Sequence, residues 1–141
     1  MDTDRKGLIN VLFDDSSQND KEHVNAITQT IIGAAYKIGG KLGCGFLEKV
    51  YENALAHELR LNNLDVKQQH SIDVFYDGIV VGSYCADLLV EELVVVELKA
   101  VREITDVMRA QCLNYLKATN LHVCLLINFG NPRVEVKRIV N

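Results

Sequence analysis

Apolar residues along the chain keep two different periods, and the changeover divides it into helices and strands. Val24, Ile27, Ile31, Ala35 and Ile38 recur at steps of three and four, which predicts a helix beginning near Asp20. The stretch "GGKLGCG" (39–45) ends it, because four glycines in seven residues are costly to keep helical. A second helical run spans about Phe46 to Asn62, with Tyr51, Leu55 and Leu59 on one stripe. From residue 66 the pattern becomes strand-like. "VKQQHSIDVFY" (66–76) and "IVVGSYCADLLV" (79–90) flank Asp77–Gly78, a hairpin-turn signal. After Glu91–Glu92, which reads as a solvated turn, "LVVVELKA" (93–100) is a third strand. Thr105 suits the N-cap of a helix reaching about Thr119. "LHVCLLINFG" (121–130) is a buried strand, and "RVEVKRIV" (133–140) an exposed, alternating one.

The order is therefore helix, helix, a three-strand meander, helix, two strands. A helix joins the third and fourth strands, so those two should run parallel. This predicts an α/β architecture, a mixed sheet flanked by helices, with residues 20–141 as a single domain. Residues 1–19 are polar and mixed in charge and read as a loose N-terminal arm. Any docking of that arm would use Leu8, Ile9, Val11, Leu12 and Phe13. The exposed final strand is an edge through which two copies could pair as a homodimer.

The chain has 141 residues, 48% of them hydrophobic and 24% charged, enough for one domain with a real core. No run approaches the roughly 18 apolar residues of a membrane span. The opening "MDTDRKGLIN" lacks the apolar core of a secretion signal, so a cytoplasmic protein without a membrane partner is expected. Cys44, Cys85, Cys112 and Cys124 are widely spaced with no CxxC, and the last three lie in apolar segments. Reduced structural thiols are expected rather than disulfides or a zinc site. The net charge of −4 argues against a nucleic-acid binder, but residues 1–22 hold six acids and three bases. The rest is left with 13 acids and 12 bases. Were three of those acids to ligate cations, the remaining surface would be mildly positive, which permits phosphate binding without indicating it.

Several polar residues occupy apolar places. Glu48 shares the stripe of Tyr51, Leu55 and Leu59, and faces inward or a cleft unless it merely serves the helix N-terminus with Gly45 as N-cap. Asp87 interrupts "YCADLLV", as an edge aspartate or a functional one. Glu97 and Lys99 stand two apart on one face of a strand built to be buried. They form a buried structural ion pair or part of a site, since buried charge is costly unless paired or holding a metal. Gln111 lies between Val107 and Tyr115 on one helix face, a satisfied core amide or a site residue. Hard divalent cations take oxygen ligands and leave positions for water and phosphate. Asp87 and Glu97 supply such oxygens, with the Leu98 carbonyl as a further one. Lys99 is then placed to steady developing negative charge or orient water, which is the chemistry of metal-assisted phosphodiester hydrolysis.

"GFLEKVY" (45–51) matches the GxxExxY signature of a family of small bacterial and archaeal proteins similar to the PD-(D/E)xK nuclease superfamily. Asp87 followed by Glu97-Leu98-Lys99 resembles that superfamily's D…ExK core. Gln111-x-x-x-Tyr115 resembles the QxxxY motif of its RecB-like branch. The resemblance covers about residues 22–141. It implies a restriction-endonuclease-like αβββαβ core and a nuclease acting on DNA. Mg²⁺ or Mn²⁺ would be held by Glu48, Asp87, Glu97 and the Leu98 carbonyl. Lys99 would assist as a base and Gln111 would shape the catalytic site, with Tyr51, Gln111 and Tyr115 touching substrate. A catalytically silent module of the same fold, binding nucleic acid or a protein partner, is the alternative.

The metal site sets one geometric condition. A two-residue turn at Glu91–Glu92 would pair Asp87 with Val96 and point it away from Glu97. Bringing Asp87 opposite Glu97 requires a three-residue loop, Glu91 to Leu93, or a bulge.

Overall fold

The structure, a computed structural model, describes the backbone of residues 2–141 and the side chains of residues 18–141. The helical period seen from Val24 is carried by α1 (Asp2–Leu42), and α2 (Glu48–Leu61) follows the glycine loop. The meander is β1 (Val66–Tyr76), β2 (Ile79–Val90) and β3 (Val94–Lys99), and α3 (Asp106–Thr119) leads to β4 (Val123–Asn128) and β5 (Glu135–Val140). The five strands lie in sequence order, antiparallel except for β3 and β4, which run parallel as the helical crossover requires.

Two boundaries differ from the sequence reading. α1 does not begin near Asp20 but continues upstream to Asp2. Docking through Leu8, Ile9, Val11, Leu12 and Phe13 concerns side chains outside the described residues. α1 also runs through Gly39 and Gly40 and stops only at Leu42. Gly39 is there for contact, because a Cβ at that position would meet Val134 Cγ2 at 2.2 Å.

The sheet is covered unequally. α1 and α2 bury one face, packing Ile31, Leu55 and Leu59 on Val94, Val96, Leu98, Leu125 and Ile127. α3 alone covers the other, with Cys112, Tyr115 and Leu116 on Val95, Cys124 and Leu126. β3 and β4 are thus enclosed on both faces, which is why they read as continuous apolar runs rather than alternating ones. Each fully enclosed Leu or Ile contributes about 1.5–3 kcal/mol of transfer free energy. Cys112 and Cys124 are buried free thiols, whereas Cys85, expected inside, is exposed on the outer part of β2.

Turn chemistry sets the register. Asp77 and Gly78 both take positive φ (51° and 74°), closing a tight hairpin that pairs Tyr76 with Ile79. Val90 pairs with Val94, so the β2–β3 loop has three residues, Glu91 to Leu93. Its acids are not simply solvated: Glu91 Oε1 accepts from the Asp65 amide at 3.1 Å, and Glu92 forms an ion pair with Lys67. This count of three places Asp87 opposite Glu97.

Candidate functional site

The β2–β3 ladder has its last paired rung at Leu88 and Val96. One step beyond, side chains replace the backbone partners. The Asp87 amide donates to Glu97 Oε1 at 3.1 Å, and the Leu98 amide donates to Asp87 Oδ2 at 2.7 Å. Two carboxylates therefore clasp each other's strands where the strands part. The Leu98 carbonyl lies on the same edge of β3 as its amide, beyond the last rung.

Asp87 also sits where β2 exchanges faces. Leu88 belongs to the α1–α2 core and Ala86 to the α3 core, although strict alternation would put both on one face. Opposite Asp87, Gln69 takes φ 51°, a left-handed conformation costing about 1 kcal/mol or more for a non-glycine residue. That irregularity re-aims Gln69, whose amide nitrogen donates to Glu52 Oε1 at 2.5 Å and to Asp87 Oδ1 at 3.3 Å.

Glu52 is the inward acid of α2, only 3% exposed, and also receives Gln68 at 2.7 Å and Lys49 at 2.9 Å. Burial alone would raise its pKa, but the bonds from Lys49, Gln68 and Gln69 outweigh it and hold the carboxyl below its ordinary range. Glu48, expected at this place, is instead exposed on the first turn of α2, beside Ala100 and Gly130. Four residues make just over one turn, so Glu48 and Glu52 stand on the same side of α2; Glu48 is its first residue, and Glu52, one turn further in, is the one that Gln68 and Gln69 of β1 meet.

Electrostatics mark the Asp87–Glu97 pair as short of positive charge. Glu97 is 5% exposed, and burial, then repulsion from Asp87, pushes its pKa up to about 8. Burial likewise raises Asp87, against the opposing bond from the Leu98 amide. Lys99 is half-buried, and its charge weakly favours the ionised form of both acids. It makes no ion pair within 4.0 Å among the described residues.

A family model described as the PD-(D/E)XK nuclease superfamily matches residues 25–139. The chain belongs to that superfamily. No curated protein matches it significantly. Among solved structures, the crystal structure of SSO0001 is similar, with a TM-score of 0.50 and 16% identity over 66% of this chain. The chain spans about half of that one (49%), and the likeness at this identity is one of fold.

The remaining motif residues of this PD-(D/E)XK chain divide between scaffold and site. Tyr51 is wholly enclosed rather than available to substrate. Its hydroxyl donates to the Gly43 carbonyl at 2.6 Å and accepts from the Phe46 amide at 3.3 Å, while its ring stacks on Phe129 at 4.5 Å. Tyr51 thus ties down the glycine loop. Gln111 and Tyr115, on α3, line a surface groove with Tyr84. Tyr115 is near enough to the acid pair for Glu97 and Asp87 to add to the effect of burial in raising its pKa. No group of three or more acids, histidines or cysteines arranged to hold a metal is found among the described residues.

Asn128, absent from the sequence-based candidates, secures the exit of β3. It is wholly buried, accepts from the Val101 amide at 3.0 Å and donates to the Val101 carbonyl at 2.8 Å. The chain leaving Lys99 is thereby fixed to the end of β4.

Proposed function

We propose that this protein is a divalent-metal-dependent nuclease that hydrolyses DNA phosphodiester bonds, with Asp87, Glu97 and the Leu98 carbonyl as the ligands of a Mg²⁺ or Mn²⁺ ion. The observation that carries the reading is the reciprocal clasp of Asp87 and Glu97 at the fork of β2 and β3. Two neighbouring carboxyls, Glu97 buried and Asp87 half-buried, both with raised pKa values, are poorly matched to each other and well matched to a hard cation. Such a cation, when bound, polarises a phosphoryl oxygen and makes a bound water more acidic. The chain's own part is positional. Gln69 holds Asp87 from the α2 side, and Lys99 presents an ammonium group two residues from Glu97 to offset charge developing on the phosphate.

Cleavage assays of the purified chain with Mn²⁺ on single-stranded, duplex and branched DNA test this reading. Activity is expected that Glu97→Ala abolishes and Lys99→Ala lowers by about 10²–10³-fold. No cleavage beyond the Glu97→Ala control would refute it. The net charge of −4 favours a second reading, a catalytically silent module of the same fold. DNA binding without cleavage, indifferent to Lys99→Ala, would select that reading.

The supporting residues make a separate prediction. Glu52→Gln and Gln69→Leu are expected to weaken Mn²⁺ binding by about tenfold or more, as losses of residues that orient metal ligands do. Glu48→Ala should leave it unchanged. Isothermal titration reads both, and the reverse order would return the role to Glu48.

A further inference from the structure

A single helix about 10 Å wide shields only about two strands spaced 4.8 Å apart, so α3 cannot cover its whole face of the sheet. The outer part of the β1–β2 hairpin is left bare on that side, and between it and α3 lies a groove of about 860 Å³. That volume is within the range of about 300–1,000 Å³ typical of ligand clefts.

The lining is specific in chemistry. Tyr84 is 50% exposed and Phe75 63% exposed, so both present free aromatic surface. Tyr84 leans on Tyr115 with ring centroids 5.9 Å apart, which fixes its direction. Opposite them α3 contributes the amides of Gln111 and Asn114 and the ammonium of Lys117. In a chain with more acids than bases, no carboxylate lines this groove among the described residues. Glu97 faces the same side of the sheet as the groove: it alternates with Val96 and Leu98, which pack under α1 and α2, and so shares with Val95 the face that α3 and Tyr115 cover.

We infer that this groove seats the unpaired bases of a single DNA strand, stacked on Tyr84 and Phe75, next to the phosphate presented to Asp87 and Glu97. The inference rests on the nuclease reading and narrows its substrate to single-stranded DNA or unpaired ends. Aromatic faces accept any base by stacking, side-chain amides meet base edges, and a lysine in a groove lined by no carboxylate suits a phosphate. Paired bases in a duplex keep their faces against each other and offer nothing to Tyr84.

The test is fluorescence anisotropy of the full chain with a labelled oligodeoxythymidylate of about 20 nucleotides and a blunt duplex, in EDTA so that nothing is cut. The single strand should bind more tightly. Tyr84→Ala and Phe75→Ala should each weaken that binding by about tenfold, and Tyr84→Phe should retain it. Both residues are exposed, and matched thermal melts confirm that the variants fold. Equal affinity for duplex, or single-strand binding untouched by Tyr84→Ala, overturns the inference. So does sedimentation showing a dimer that Tyr84→Ala and Phe75→Ala dissociate, since the groove would then be covered by a second copy. Mn²⁺ titration separates the two readings. Mn²⁺ bound at Asp87 and Glu97 without Tyr84-dependent strand binding removes only the groove. Tyr84-dependent binding without Mn²⁺ binding or cleavage removes only the nuclease.

Discussion

Glu97→Gln is expected to make the metal-free protein more stable at pH 8 while leaving it nearly unchanged at pH 5. The folded pKa of Glu97 is about 8, against 4.5 for the free side chain, and burial is the main cause. Between those values the folded chain holds a proton that the unfolded chain has lost. Stability therefore falls as pH rises through this window, by about 1.4 kcal/mol per unit. Glutamine keeps the neutral shape of the protonated acid, and its carbonyl oxygen still accepts from the Asp87 amide, so it is spared that loss. Denaturant titrations at the two pH values should show the gap between variant and parent opening to several kcal/mol at pH 8. A divalent cation supplies the missing positive charge, so Mn²⁺ should raise the melting temperature of the parent at pH 8 but not that of Glu97→Gln. Equal effects of Mn²⁺ on both proteins would place the metal elsewhere.

Gly130→Ala is expected to destabilise the fold by about 3 kcal/mol or more. An added Cβ would lie 2.1 Å from the Val101 carbonyl oxygen and 2.4 Å from its nitrogen, and these are backbone atoms that cannot rotate aside. Val101 is also held by both ends of the Asn128 amide, and the Gly130 amide donates to Asn128 Oδ1 at 2.9 Å. The segment cannot yield without breaking buried hydrogen bonds at the exit of β3. Gly39→Ala should cost less, because its clash is with the Val134 side chain and a helical position favours alanine by about 1 kcal/mol. Gly33→Ala, also in α1 and with open space around its added methyl, should stabilise by up to about 1 kcal/mol. Thermal melts of the three variants should fall in that order, and a mild Gly130→Ala would show that the loop is free to move.

Between sequence and structure, what was legible depended on whether neighbours along the chain carried the information. The turn count around Glu91 illustrates the limit. Pairing parity alone required a third loop residue if Asp87 and Glu97 were to meet, and Val90 does pair with Val94. Which acid of α2 turns inward was beyond such logic. Glu48 and Glu52 stand on the same side of α2 one turn apart, and only the packing of α2 on the sheet buries the second. Gln69 had a faint signal, since "VKQQHSI" breaks the apolar alternation between Val66 and Ile72. Its left-handed backbone and its reach to two acids follow from the face exchange at Asp87, which no local pattern encodes. Tyr51 looked like a substrate residue from its motif and became a wall of the core, because motif spacing does not say which way a side chain is satisfied.

Periodicity, turn residues and the apolar runs of β3 and β4 determined the helices, the strands and the parallel pair by themselves, because those properties are local and repeat along the chain. Tertiary structure alone decided that Asp87 and Glu97 clasp each other's strands, that Glu52 rather than Glu48 joins them through Gln69, and that Asn128 pins the exit of β3. Those contacts link residues from 10 to 27 positions apart. Their energies come from burial and from the loss of water around charge, quantities that exist only once the sheet and its helices have closed on one another.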